Sequence, residues 1–431
     1  MSISVVILAA GFGTRMKSET SKVLQPLCGE KMIDFVVENA IKLSDDVKVV
    51  LYHQKDEIIK YLDEKYNNFK FDYITQDMQN HKGTGGALRG ISYVYDDVII
   101  LNGDMPLVSI DSLLKLKEYK SDLVVSAFLC HKPNSYGKVV TNGDDVIKIV
   151  ETKDANEEEK KIPLSNAGVY KVKKSLLDEF IPNLGNNNAQ NEYYLTDIVK
   201  MATDKKCDVK TYISDEDEFL GVNSKLDLEL AESKLQEKIK NYWLEQGMIM
   251  HNKQSIYISK QTKFIGECEI YENSSFYGKN TIEKSVILAG SVIEDSTILN
   301  SQLGPHARVR PKCDIKSSRI GNFVECKNAK LDGVKAGHLS YLGDCVIESG
   351  VNIGCGVVIC NYDGKKKHQT NIGKNAFIGS NTNLIAPITI PEDTLIAAGS
   401  TLGAKQTKDL KQKGLFYQRA DFKIIDNFKD F

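Results

Sequence analysis

The chain has little proline, nine residues in 431, a single tryptophan, and no excess of charge of either sign: 56 basic residues against 58 acidic, formal net charge −2. Near-neutrality excludes a global field drawing it to nucleic acid or anionic lipid, though not a local basic patch. No apolar run approaches the ~20 residues of a membrane span. Met1–Ala10 is apolar but short, and it lacks the basic start of a signal peptide. The nine cysteines, at 28, 130, 207, 268, 313, 326, 345, 355 and 360, are odd in number, scattered and never spaced C-x-x-C. That pattern argues against a disulfide framework and a structural zinc site. A reduced, cytoplasmic protein without membrane or nucleic-acid partners is expected.

What is present is a 42% hydrophobic composition, enough for real cores and for two or three domains at this length. The halves differ in texture: residues 1–220 carry 12 Gly and residues 221–431 carry 19. The first half alternates apolar runs with amphipathic stretches. Strands are expected at Ile3–Ala9, Val47–Tyr52, Phe71–Thr75 and Asp97–Leu101. Helices are expected near Ile33–Leu43, Asp56–Lys65 and Gly85–Val94. Such alternation means βαβ units and a mostly parallel sheet. Ligands of such sheets sit at the carboxyl ends of strands, where Gly11 and Asp104 fall. Ser224–Gln246 reads as a helix of roughly 35 Å at 1.5 Å per residue, either an arm between domains or the last helix of the first.

Beyond about residue 255 the period becomes six. Ile372, Ile378, Leu384, Ile390, Ile396 and Leu402 follow one another at that step, and Ile347, Ile353 and Ile359 keep it. Neither a helix nor a flat strand sustains a period of six. A solenoid does, with one short strand per six residues and three strands per coil. The pattern resembles hexapeptide-repeat left-handed β-helices, interrupted at Tyr362–Thr370 by a protruding loop. The expected domains are therefore 1–223, an α/β unit with a mixed, mostly parallel Rossmann-like sheet; a helical linker at 224–247; and a left-handed parallel β-helix with a C-terminal tail at 248–431.

Just after the first strand stands Leu8-Ala9-Ala10-Gly11-Phe12-Gly13-Thr14-Arg15-Met16, followed by Lys22. The third glycine of the dinucleotide fingerprint is missing, so that reading fails. The segment still suits a nucleoside triphosphate. Gly11 and Gly13 let backbone N–H groups approach phosphate, while Arg15 and Lys22 neutralise a leaving pyrophosphate. The string resembles the nucleotidyltransferase signature of sugar-phosphate pyrophosphorylases, and other segments agree in order. These are Gln76 with Gly83-Thr84-Gly85, Asn102-Gly103-Asp104, Tyr136-Gly137, Glu151, Asn166-Ala167-Gly168, Asn186–Asp197 and Gly221-Val222-Asn223. The resemblance implies that Asp104 and Asn223 hold Mg²⁺, and that Glu151 and Asn166 hold the sugar. It places Leu8, Ala9, Ala10, Gly11, Lys22, Gln76, Gly83, Thr84, Gly137 and Asn223 around UTP or the UDP-sugar.

In the solenoid half His338 stands apart from the repeat, and so do Arg310, Lys327, Tyr341, Asn352, Asn361 and Tyr362. An imidazole with a pKa near its ordinary ~6.5 can take a proton from an attacking amine, and Arg310 and Lys327 can clamp a sugar phosphate. Over about residues 3–420 the chain resembles the bifunctional N-acetylglucosamine-1-phosphate uridyltransferase / glucosamine-1-phosphate N-acetyltransferase family. The resemblance implies that His338 is the base and that Arg310, Lys327, Tyr341 and Asn352 contact glucosamine 1-phosphate. It puts Cys355, Asn361, Tyr362, Ser380, Ala398 and Arg419 on acetyl-CoA, in a homotrimer whose adjacent chains share the site. Three departures stand out. Cys355 replaces a small alanine, and Asn102 replaces an aromatic. The stretch from Gln76 to Gly83 is two residues longer than usual, leaving Gln76 and Gln79 both open as the base reader. The tail after Gly403 carries seven Lys/Arg against four Asp, suited either to a polyanionic cofactor or to plain solvation. Two other readings remain: a nucleotidyltransferase whose β-helix serves oligomerisation or regulation, and a non-catalytic regulatory subunit. Retention of Arg15, Lys22, Asp104, Asn223, Lys327, His338 and Tyr341 argues against both.

Overall fold

The structure, a computed structural model, describes residues 2–131, 134–143 and 145–418. The chain forms two compact units that divide between Leu235 and Gln236.

The first unit is built on nine strands: β1 (Ser4–Ala9), β2 (Asp46–Leu51), β3 (Asp72–Thr75), β4 (Asp97–Asn102), β5 (Leu123–Leu129), β6 (Lys138–Asn142), β7 (Asp145–Val150), β8 (Leu164–Lys173) and β9 (Val209–Ile213). Along the sheet they run β9-β5-β8-β4-β1-β2-β3, with the β6–β7 hairpin attached to β8. Neighbours are parallel except around β8, which is antiparallel to both β4 and β5. Central strand β1 is apolar because both faces are covered: Val5, Val6 and Ile7 are fully buried. Helices α1 (Met32–Leu43) and α2 (Lys55–Lys65) match the amphipathic stretches. The helix expected near Gly85–Val94 is absent, and only the short turn Gly86–Leu88 is helical. Glycine has low helix propensity, and this segment spends its backbone elsewhere. Gly85 N–H donates to the Tyr193 carbonyl at 2.8 Å, and Tyr193 N–H donates to Lys82 at 2.8 Å.

The helix at Lys225–Glu245 contains the division between units. Ser224 and Asp227 cap it reciprocally: Ser224 N–H donates to the Asp227 carboxylate at 2.9 Å and Asp227 N–H donates to Ser224 Oγ at 3.2 Å. Leu226 and Leu230 are exposed, whereas Ile239 and Trp243 pack on the core of the second unit.

The second unit is a parallel β-helix. One face is a ladder of ten short parallel strands from Ile249–Met250 to Leu415–Phe416, and the other two faces join through long strands at Glu325–Asp332 and Tyr341–Ile347. The residues of the six-beat point inward: Ile378, Leu384, Ile390, Ile396 and Leu402 are fully buried, and Ile372 almost so. Burying each such side chain stabilises the coil by roughly 1.5–3 kcal/mol. Small polar residues at the turns satisfy the backbone where strands change face. Ser285, Ser301 and Ser318 each accept the N–H of the residue one coil on, at 3.0 Å. Lys335 pairs with Asn352, seventeen positions on, but Asn352 pairs with Phe377, twenty-five on. The extra length is the loop at 362–370.

None of the nine cysteines is in a disulfide. Among the described residues, no helix is long and apolar enough to cross a membrane.

Candidate functional sites

Strands β1 and β4 lie side by side in parallel register, Leu8 opposite Asn102, so their carboxyl ends open at one place. Gly103 N–H donates to the Leu8 carbonyl at 2.9 Å, which brings Asp104 beside the glycine-rich turn. The turn needs Gly13. Its φ is +61°, and a Cβ there would stand 2.8 Å from Lys22 Cβ.

Between these strand ends lies a cleft of about 330 Å³. Leu8, Ala9, Ala10, Gly11, Lys22, Gln76, Gly83, Thr84 and Asp104 line it, together with Phe12, Met78, Lys82, Asn102 and Glu192. The Lys22 ammonium is lodged against the Asp104 carboxylate and donates to Asn223 Oδ1 at 3.1 Å. Asp104 and Asn223 thus form a pair of oxygens that already accepts a cation, the donor chemistry Mg²⁺ requires. Among the described residues no group of three or more His, Cys, Asp or Glu could hold a metal.

Gln76 is buried, and its amide closes the longer loop by donating to His81 O at 3.1 Å and Gly83 O at 2.9 Å. Gln79 is exposed and outside the cleft lining. Gly83 has φ +106°, and a Cβ there would meet the Tyr193 carbonyl at 2.6 Å. Thr84 Oγ1 accepts Leu195 N–H at 3.1 Å. The 83–85 and 186–197 motifs, a hundred residues apart, are thereby one wall. Asn102 uses its amide on the Gly168 carbonyl at 3.0 Å, and Arg15 stands exposed on the turn Thr14–Met16.

Gly137, Glu151 and Asn166 come together beyond that lining. Asn166 N–H donates to Gly137 O at 2.8 Å, and its side-chain amide bridges Tyr170 OH (2.7 Å) and Gly168 N–H (3.0 Å). Burial raises the Glu151 pKa; Asp154, Asp197 and Glu192 raise it further, against the opposing hydrogen bond from Thr196.

In the second unit Arg310 and Lys327 line a cleft of about 510 Å³ with Arg308, Asp344 and Lys367. Arg310 donates to Glu325 at 3.0 Å. Lys327 has its pKa lowered, first by contact with the Lys367 ammonium and then by Arg310. Tyr341 borders the cleft through Asn361, whose amide reaches Tyr341 OH at 3.5 Å and also the Asp344 carboxylate. Tyr362 is exposed at the loop base, with its hydroxyl on the Gly364 carbonyl at 2.7 Å.

His338 is exposed at a corner of the β-helix and is not part of the basic cleft's wall. The register Ala336–Ile353–Ile378–Ile396 puts the residues two places on, His338, Cys355, Ser380 and Ala398, in one column. Coils stack at roughly 4.8 Å. Asn352 sits on the flat face beside Lys335. Arg419 lies outside the described residues. The sequence motifs gave no role to Lys367 or Lys82, and Glu192 lay within the 186–197 motif without a role of its own. The run Lys365-Lys366-Lys367-His368 was the available signal for the first, and the Lys82–Glu192 ion pair (3.0 Å) forms only on folding.

The class is thus a nucleotide-transferase sheet joined to a β-helix bearing a basic cleft. The family model for the MobA-like NTP transferase domain matches residues 5–152. The chain is 52% identical over 428 residues to the bifunctional protein GlmU of Campylobacter jejuni subsp. jejuni serotype O:6, covering 99% of this chain and 98% of that one. The proteins of the same name from Nitratiruptor sp. and Wolinella succinogenes are 50% and 48% identical over the same shares. The chain belongs to the family of the bifunctional protein GlmU.

Proposed function

We propose that the chain makes UDP-N-acetylglucosamine in two steps at two separate centres. The β-helix transfers an acetyl group from acetyl-CoA to glucosamine 1-phosphate. The N-terminal unit then joins N-acetylglucosamine 1-phosphate to UTP and releases pyrophosphate. The observation that carries the reading is that each unit holds its own charged cleft: one converges a cation-accepting oxygen pair on a glycine-rich turn, the other gathers Arg310, Lys327 and Lys367.

In the first centre the sugar-phosphate oxygen attacks the α-phosphorus as the bond to pyrophosphate breaks. Positioning and charge neutralisation do most of the work in such a transfer. Arg15 and Lys22 neutralise the pyrophosphate, Gln76 reads the base, and Glu151 and Asn166 hold the sugar. Asp104 and Asn223 hold Mg²⁺, which supplies charge neutralisation at the phosphates.

In the second centre the amine nitrogen bonds to the thioester carbonyl carbon, the C–S bond breaks, and His338 removes the nitrogen's proton. Arg310, Lys327, Tyr341 and Asn352 hold the sugar phosphate. Cys355, Asn361, Tyr362, Ser380, Ala398 and Arg419 meet acetyl-CoA. Residues of adjacent chains in a homotrimer complete the site, as the family resemblance implies. The enzyme works in the cytoplasm, where UTP and acetyl-CoA are available.

The test is one assay with acetyl-CoA, glucosamine 1-phosphate, UTP and Mg²⁺, following free thiol and pyrophosphate separately. With N-acetylglucosamine 1-phosphate supplied to separate the steps, Asp104→Ala abolishes pyrophosphate release and leaves thiol release intact; His338→Ala does the reverse, by about 10²–10⁴-fold. Loss of both activities in either folded variant would refute two independent centres.

A further inference from the structure

The contacts that close the loop after Cys360 converge on one carboxylate. Tyr362 and Lys367 form an antiparallel bridge, and His368 N–H donates to Asn361 O at 2.8 Å. Asp363 Oδ1 accepts the backbone N–H of Lys365 at 2.8 Å and of Lys366 at 2.7 Å, while Oδ2 pairs with His368 Nε2 at 2.7 Å. These contacts bracket Lys367, the loop residue that lines the basic cleft beside Lys327 and Arg310. Lys327 and Lys367 line the same cleft, and ammonium groups this close repel one another, which lowers the Lys327 pKa. Asp344 and Glu294 in the same wall offset part of that repulsion. The loop's own internal bonds set where the Lys367 side chain starts.

We propose that Asp363 and His368 are positioning residues whose pair latches the hairpin, so that Lys367 is held in the basic cleft to bind the phosphate of the acceptor sugar. The proposal rests on reading that cleft as the acceptor site of acetyl transfer. Both partners are partly exposed, 30% for His368 and 48% for Asp363, so the pair adds little to global stability. Its effect is local: it fixes where a long, flexible side chain begins. The bond needs a ring N–H donor, which a glutamine amide can replace and an aliphatic side chain cannot.

The experiment uses the full chain, with thiol release measured against glucosamine 1-phosphate concentration and uridylyl transfer as the control for folding. Lys367→Met should raise KM about 10–100-fold, the loss of a charged contact to phosphate. His368→Leu should raise KM about two- to fivefold with kcat little changed, and His368→Gln should restore the parental KM. The double variant Lys367→Met/His368→Leu should match Lys367→Met alone, because nothing remains to be positioned. A parental KM in His368→Leu, no rescue by glutamine, or penalties that multiply in the double variant would each overturn the latch. A parental KM in Lys367→Met would instead overturn the assignment of the sugar phosphate to this cleft.

Discussion

Gly343→Ala separates binding from stability in the β-helix. A Cβ at 343 would stand 2.5 Å from the Tyr341 hydroxyl oxygen and 2.6 Å from Cζ. Comfortable contact begins at roughly 3.5 Å, so the ring must retreat by about 1 Å. It has somewhere to go, because Tyr341 is only half-buried. Gly343 does not have a positive φ, so alanine brings no backbone strain and removes the entropic cost of a strand glycine, about 0.5–1 kcal/mol. Stability should therefore stay within about 1 kcal/mol of the parent. The phenol, however, loses its approach to Asn361 and its place over the strand that pairs Gly343 with Lys327. One hydrogen bond to a charged phosphate is worth about 1.5–3 kcal/mol, so KM for glucosamine 1-phosphate should rise about 10–100-fold. Thiol release against acceptor concentration reads the KM; thermal unfolding and pyrophosphate release serve as controls. An unchanged KM would refute Tyr341 as an acceptor contact, and Tyr341→Phe should reproduce the alanine result if the hydroxyl matters.

Other predictions address the remaining parts. Lys22→Met removes the ammonium from Asp104 and Asn223, so Mn²⁺ without nucleotide should bind about tenfold or more tightly by electron paramagnetic resonance while uridylyl transfer falls; unchanged or weaker Mn²⁺ binding would count against the pair as metal ligands. Glu151 has a raised pKa, mainly from burial. Its favourable contribution is therefore full below the unfolded carboxyl's pKa and is lost as pH rises through the raised value. Glu151→Gln should accordingly raise the thermal midpoint at neutral pH, with no gain in mild acid, and weaken sugar binding. Ile378→Ala empties a fully buried position of the coil and should cost about 2–5 kcal/mol in chemical denaturation; a cost under 1 kcal/mol would mean the coil collapses around the cavity.

The period of six alone determined the β-helix, because only a coil that returns every three short strands keeps Ile372 through Leu402 on one interior. The alternation of apolar runs likewise fixed the sheet, and the loop at 362–370 was visible as a break in the beat. Local chemistry could not settle the helix near Gly85, since the segment's bonds go to Tyr193, a hundred residues away. Nor could it choose between Gln76 and Gln79: burial and two loop carbonyls single out Gln76 for the cleft, while Gln79 is left in solvent. Motif spacing supplied Lys22, Asp104 and Asn223 as separate residues, but only folding closes more than eighty and then more than a hundred residues of chain to set one ammonium on two oxygens. Lys367 and the Asp363–His368 pair lay in a stretch that the sequence marks only as a protruding loop. Only the hairpin, by turning that stretch back against Arg310 and Lys327, makes one lysine of the three part of a cleft.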